Sequence, residues 1–209
     1  MLASSHSFDF LFRTTKSPQR SIEKAIELMQ KAVALDNDHA PAHSILGVYY
    51  AFNGEHDKAL AEVERSLALD PSSAECLARY GRVLDYAGRP EEAIPMFQKA
   101  IRLNPFGPPW FFESFGSTLR DTGRFEEAVS AFKKAIQSAP DNLPAHLGLA
   151  ATYSMMDREK EARAEAAEVL RVYPKFSLDN LASAWSFYRN QSVIDKVTGA
   201  LRKAGLKLV

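Results

Sequence analysis

One cysteine, Cys76, is the whole thiol complement of this 209-residue chain, so no internal disulfide can form. Neither sign of charge is in excess. Lys plus Arg and Asp plus Glu both number 26, and no net field draws the molecule to phosphate backbones or anionic lipid. Nucleic acid is thereby set aside as a partner. No run approaches the roughly 20 uninterrupted apolar residues of a membrane span, and Met1 to Ser7 has neither the basic start nor the continuous apolar stretch of a signal peptide. The expectation is a reducing, cytoplasmic setting without a membrane partner. No alternating or continuous strand-like segment occurs. With 46% hydrophobic and 25% charged residues, the chain can bury a core and is too mixed for disorder.

The glycines number 10 and are spread at a fixed period; they form no compact phosphate-cradling loop. Gly47, Tyr50, Gly54, Ala59 and Pro71 return as Gly81, Leu84, Gly88, Ala93 and Pro105, each 34 residues on. The set comes back after 35 residues as Gly116, Leu119, Gly123, Ala128 and Pro140, then after 34 as Ala150, Tyr153, Asp157, Ala162 and Pro174. Four full units therefore run 40–73, 74–107, 109–142 and 143–176.

Apolar residues at three- and four-residue spacing on both sides of a short turn make each unit two helices. In the third, Phe112, Phe115 and Leu119 mark the first helix, and Phe125, Val129, Phe132 and Ile136 the second. Gly47, Gly81, Gly116 and Ala150, facing Ala59, Ala93, Ala128 and Ala162, allow two backbones to approach closely. Gly54, Gly88 and Gly123 suit a left-handed turn residue. The four prolines end the second helices, and Pro95 predicts a slight bend in its helix.

This period and residue set resembles the tetratricopeptide repeat, which pairs W-x-x-L-G-x-x-Y with later Ala, Phe and Pro over 34 residues. The resemblance implies an all-α fold: a right-handed α-α superhelix of about five repeats with a C-terminal helical cap, in one solenoid domain over 1–209. His43 and His146 depart from the large residue of the fourth position, Val63 and Ala166 from the second-helix aromatic, and Asp157 from the turn glycine, which weakens individual repeats. Residues 1–39 form a degenerate first repeat. Its second helix spans Ile22 to Asp36, with Ala25, Met29 and Ala32 in register, and its first lies around Ser7 to Arg13. In 177–209, Leu178, Leu181, Trp185 and Tyr188 make one apolar stripe, while Val193, Ile194, Val197, Leu201 and Ala204 make another. These are the capping helices an open repeat end requires, with Lys196, Arg202 and Lys203 on the wet side.

Three strings, Asn104 to Phe112, Asp141 to Leu147, and Lys175 to Leu178 with Leu201 to Leu206, look like the tetratricopeptide region behind the catalytic domain of bacterial class III adenylate or guanylate cyclases. That resemblance implies a regulatory arm or a stand-alone relative, with an adjoining cyclase or transcription-regulator domain as a possible partner.

Candidate chemistry is thin. His39 and His43 are four apart, as metal ligands on one helix face would be, but His39 precedes the helix and no third ligand has a recognisable spacing. Cys76 beside Leu77 reads as a small buried hydrophobe without a His partner. Glu91 and Glu92, Glu126 and Glu127, and Glu159 and Glu161 fall in first turns of second helices, where carboxylates offset the dipole. No enzyme, metal or cofactor is expected.

Function is then a matter of surface. By resemblance, positions two, five, nine and twelve of each repeat line a concave groove, and that spacing shares one helix face. In the second full repeat this gives Glu75, Ala78, Arg82 and Asp85, and in the third Trp110, Glu113, Ser117 and Arg120. The flanking repeats supply Pro41, Ser44, Val48 and Ala51, and Pro144, Leu147, Ala151 and Ser154. Glu75, Arg82, Asp85, Trp110, Glu113 and Arg120 are the expected partner-binding residues for a protein or peptide. Chaperone-binding relatives use Lys and Asn to clamp terminal carboxylates; Ser44, Val48, Arg79, Trp110 and Ser114 stand there instead, so that role is set aside. An RNA-binding helical repeat is the remaining alternative, and neutral net charge opposes it.

Overall fold

The computed structural model describes residues 18–207. Among them the chain forms eleven helices and no strand: α1 (Pro18–Leu35), α2 (Ala40–Phe52), α3 (His56–Leu69), α4 (Ala74–Tyr86), α5 (Pro90–Leu103), α6 (Pro109–Asp121), α7 (Phe125–Ser138), α8 (Leu143–Met155), α9 (Glu159–Val172), α10 (Leu178–Ala184) and α11 (Gln191–Lys203). The helix expected around residues 7–13 lies outside the described residues. Its partner is α1, which starts at Pro18 and packs Ala25, Ile26 and Met29 into the first core.

From residue 40 to 172 each repeat pairs a 13-residue helix with a 14-residue one. The local chemistry explains the starts. Ser73 Oγ accepts from the Cys76 amide at 3.3 Å, Asn142 Oδ1 from the Ala145 amide at 2.9 Å, and His39 Nδ1 from the Ala42 amide at 3.1 Å. Proline opens α2, α5, α6 and α8 in the first two positions, where a missing N–H costs nothing. Pro95 lies inside an uninterrupted α5.

The hairpin turn is the same four times. Gly54, Gly88 and Gly123 have φ of 77°, 77° and 79°, and Asp157 takes the same left-handed region at 58°. The next residue then turns its amide back onto the helix: Glu55 to Tyr50, Arg89 to Leu84, Arg124 to Leu119 and Arg158 to Tyr153, at 2.8–2.9 Å. Orphan carbonyls are thus satisfied at every turn. Arg89, Arg124 and Arg158 also reach Glu92, Glu127 and Glu161 one turn on. In the first full repeat Glu55 and Lys58 make the same pair with the charges exchanged.

Close helix approach accounts for the small residues. A Cβ on Gly81 would stand 2.9 Å from the Phe97 ring, and one on Gly116 2.9 Å from the Phe132 ring. At Gly47 it would meet Val63 at 2.7 Å. Gly148, which the period does not mark, lies where a Cβ would run into Phe132 as well, so α7 and α8 also pack through a missing side chain.

His43 and His146 do not leave the weak spots expected of them. Each is buried in a two-bond clasp. His43 Nδ1 lies 2.6 Å from Glu62 on α3 and Nε2 3.0 Å from the Asn37 carbonyl; His146 Nδ1 lies 2.7 Å from Glu165 on α9 and Nε2 2.9 Å from the Pro140 carbonyl. Each ring thus ties the second helix of its repeat to the linker that precedes the first. The hydrogen bond that the His146 ring donates to Glu165 raises the His146 pKa against the opposing effect of burial.

The chain divides into two compact units, one running to Pro105 and including Ser183–Asn190, the other comprising Phe106–Ala182 with the residues from Gln191 on. In the first, Ile22, Leu46, Tyr49, Phe52, Val63, Val83 and Phe187 are among the core. In the second, Phe111, Leu119, Phe132, Leu147, Leu149, Leu178, Leu181 and Leu201 are fully buried. There α11 packs on α8, its Ile194, Val197 and Leu201 buried and its Lys196, Arg202 and Lys203 exposed as expected. The other terminal stripe needs correction: α10 ends at Ala184, so Trp185 and Tyr188 are not on its helix but pack against the first core. Burial of the Phe187 and Tyr188 rings against Tyr86 outweighs another helical turn.

Two variants test these local devices. Asp157→Gly relieves a left-handed non-glycine residue but removes the 2.6 Å ion pair with Lys203. It should therefore raise the urea midpoint clearly in a Lys203→Ala background and less in the wild type; a lowered midpoint in both would show that the turn is held otherwise. Below about pH 6.5, the unfolded histidine value, the His146 clasp contributes its full stability, and this is lost as pH rises through the raised folded pKa. His146→Gln should cost about 1–3 kcal/mol near pH 6, with the gap to wild type narrowing in urea melts at pH 8.5.

Candidate functional site

The predicted groove residues fall on α4 in the first unit and α6 in the second. On α4, Glu75 and Arg82 share one face at a seven-residue spacing, which is about two helical turns. Glu75 is exposed and pairs with Arg79 at 2.8 Å; Arg82 is half-buried. Asp85 is enclosed, at 7% exposure. On α6, Trp110 and Glu113 are half-buried, and the Trp110 ring meets Phe111 edge-on at 4.5 Å between centroids. Arg120 is only 4% exposed, its Nε donating to Asp121 Oδ1 at 2.7 Å, and the other oxygen of Asp121 has no hydrogen-bond partner. Glu75 and Arg82 on α4, and Trp110 and Glu113 on α6, are the accessible members. Phe106, in the extra-residue linker before α6, is 97% exposed.

A second cluster was not visible from periodicity. Phe52 and Tyr86 end α2 and α4 at equivalent positions, where the third and fourth repeats carry Asp121 and Met155. The returning segment Trp185–Asn190 lies on them. The Phe187 ring meets Phe52 at 5.0 Å and Tyr86 at 4.8 Å, both edge-on, and the Tyr188 ring meets Tyr86 at 4.8 Å. The Arg189 amide donates to the Tyr86 carbonyl at 3.0 Å, and its guanidinium lies 3.2 Å from Asp57. Beneath, buried His56 hydrogen-bonds the Phe187 backbone while its Nδ1 finds no partner. Burial, then the nearby Arg189 charge, holds its pKa below the ordinary histidine value. The restriction of aromatic residues at this repeat position to the first two full units was the one signal in the sequence.

Other candidates have structural roles. His39 caps α2 and His43 is taken up by its clasp. Cys76 is fully buried in α4. Glu92, Glu127 and Glu161 serve the arginines at the starts of their helices. Among the described residues no group of three His, Cys, Asp or Glu side chains is placed to hold a metal, and no helix is long and apolar enough to cross a membrane.

With the hairpins and their faces defined, the relatives can be placed. Two sequence profiles of the tetratricopeptide repeat match, over residues 39–105 and 119–184, together more than half of the chain. The chain belongs to the tetratricopeptide repeat family, and the expected all-α, α-α solenoid class holds. No curated protein sequence matches it. Among solved structures it is similar to PilW, a widely conserved type IV pilus biogenesis factor, with a TM-score of 0.69 at 21% identity over 98% of this chain and 89% of that one. A thermophilic TPR protein of Thermus thermophilus gives 0.66 at 23% identity over 80% and 90%. YrrB, a TPR protein with an unusual peptide-binding site, gives 0.57 at 21% identity over 85% and 94%. At these identities the likeness is one of fold. Proteins of this family generally mediate protein–protein interaction, and that coarse function is the one the family carries.

The half-burial of Trp110 sets an expectation apart from that of its neighbour. Trp110→Ala should cost about 1–2 kcal/mol, as expected for a half-buried ring, whereas Phe111→Ala should cost about 3–5 kcal/mol because Phe111 is fully enclosed. Urea melts of the two variants check this; equal losses would place Trp110 in the core.

Proposed function

We propose that the protein is a non-catalytic scaffold that binds a peptide or partner domain along the first helices of its repeats, its 209 residues working as one solenoid domain. The observation that carries this is that Glu75 and Arg82, two charged groups on one face of α4, stay exposed and half-exposed while Cys76, Leu77, Val83 and Leu84 of that helix are buried. Trp110 and Glu113 on α6 supply an aromatic and a charged group of the kind in which binding energy concentrates. Asp85 and Arg120 are enclosed in this structure and stand outside the accessible set. The match of PilW over 98% of the chain supports the single-domain reading, and YrrB shows that a related fold carries a peptide-binding site. Buried, unpaired Cys76 fits a reducing, cytoplasmic setting.

An adjoining cyclase or regulator domain rests on three sequence strings alone. The third of them has a structural account: the Leu178 amide donates to the Lys207 carbonyl at 3.3 Å, and Phe176, Leu178, Leu201 and Leu206 are buried. The scaffold reading is therefore preferred.

Random-peptide display against the purified chain tests it. Arg82→Glu and Glu75→Arg should each weaken the selected peptides about tenfold or more, on the order of 1.4 kcal/mol, with the urea midpoint unchanged. Unaltered binding to both variants would place the binding face elsewhere.

A further inference from the structure

The segment Trp185–Asn190 is an excursion. The residues before it, through Ala182, and those from Gln191 belong to the second unit, yet it lies in the first. It crosses as irregular backbone between two helices. Its contacts are specific: the buried Phe187 ring lies edge-on to Phe52 and Tyr86, His56 hydrogen-bonds the Phe187 backbone, Trp185 and Tyr188 pack partly exposed, the Arg189 amide donates to the Tyr86 carbonyl, and Arg189 reaches the exposed Asp57. The fit is also incomplete. His56, more than nine-tenths buried beneath Phe187, keeps a ring nitrogen without a partner, and an unsatisfied buried polar atom is a standing cost of the closed arrangement. The platform itself is built from first-helix ends, Phe52 of α2 and Tyr86 of α4, with Asp57 at the start of α3.

We propose that Trp185–Asn190 is a self-ligand: a strap occupying in cis a peptide site formed by Phe52, Tyr86 and Asp57, and displaced by a partner segment with two neighbouring aromatic side chains followed by a basic one. Phe187 and Tyr188 show the spacing of the aromatic pair, and Arg189 shows the basic residue that Asp57 receives. The inference deepens the peptide-scaffold reading and rests on it. Regulation follows directly, because a partner must outcompete a segment tethered at high effective concentration.

Native-state hydrogen exchange of the full chain tests the first half. The Arg189 amide should exchange through a local opening at least about a hundredfold more populated than the openings that expose the Tyr50 and Leu84 amides in the cores of α2 and α4. Exchange of Arg189 only together with those amides would overturn the proposal, since the strap would then be fixed core. The second half uses a fluorescent peptide with the sequence of residues 183–192. Arg189→Glu, an exposed change that sets the strap against Asp57, should bind it at least about tenfold more tightly than wild type, and adding Asp57→Arg should abolish that gain. Equal affinity for wild type and Arg189→Glu, or no binding to Arg189→Glu, would overturn it. The scaffold reading fails separately: peptides from display that ignore Arg82 and Glu75 count against that face, whereas a strap that never opens leaves it untouched.

Discussion

Everything in each unit depends on two helices of a hairpin coming so close that one position on the first must have almost no side chain. At Gly81 and Gly116 the facing phenylalanine ring lies against bare backbone, and a methyl group there would stand 2.9 Å from it, too near for carbon–carbon contact. The contact fixes which faces meet, and the left-handed turn fixes how far apart along the chain they are. Because both requirements recur, the residue pattern recurs, and a period of 34 residues is the record of one packing solution applied repeatedly. Where the first full repeat has Val63 in place of an aromatic residue, Gly47 still meets it, now with the Ala59 carbonyl beside it.

The polar groups are largely spent on the same hairpins. Arg89, Arg124 and Arg158 pair with the glutamates one turn into their helices, and exposed pairs of that kind add little energy. The histidine clasps differ. His43 and His146 each bridge both helices of a repeat and the linker before it, inside the protein, where one imidazole reaches two polar partners at once. A residue that looks like a defect in an apolar pattern is here a polar tie replacing a ring, and at His146 it makes the fourth full repeat sensitive to protonation.

Binding is what remains for the surface to do. The first helices expose charged and aromatic groups on α4 and α6, while the ends of α2 and α4 carry an aromatic platform already covered by a piece of the same chain. Two different surfaces therefore come from one repeat rule, distinguished by which position carries the large or charged side chain. Beneath the covered platform the buried His56 keeps a ring nitrogen without a hydrogen-bond partner.

The repeat bounds, helix pairing, left-handed turns and buried small residues were legible in the sequence because each follows from contacts between residues less than one repeat apart, which print themselves as a period. Asp157 could be assigned a left-handed turn from its place alone, and it has one. The burial of Arg120 and Asp85 was not legible, since helical spacing gives the face a residue occupies but not how deeply its neighbours enclose it. Nor was the end of α10 at Ala184: the stripe of Leu178, Leu181, Trp185 and Tyr188 has helical spacing throughout, and only the presence of Phe52 and Tyr86, about a hundred residues earlier in the chain, makes leaving the helix favourable. Local packing rules were thus written in the sequence, whereas the strap was decided by tertiary structure, because its energy comes from aromatic contacts between residues that no period relates.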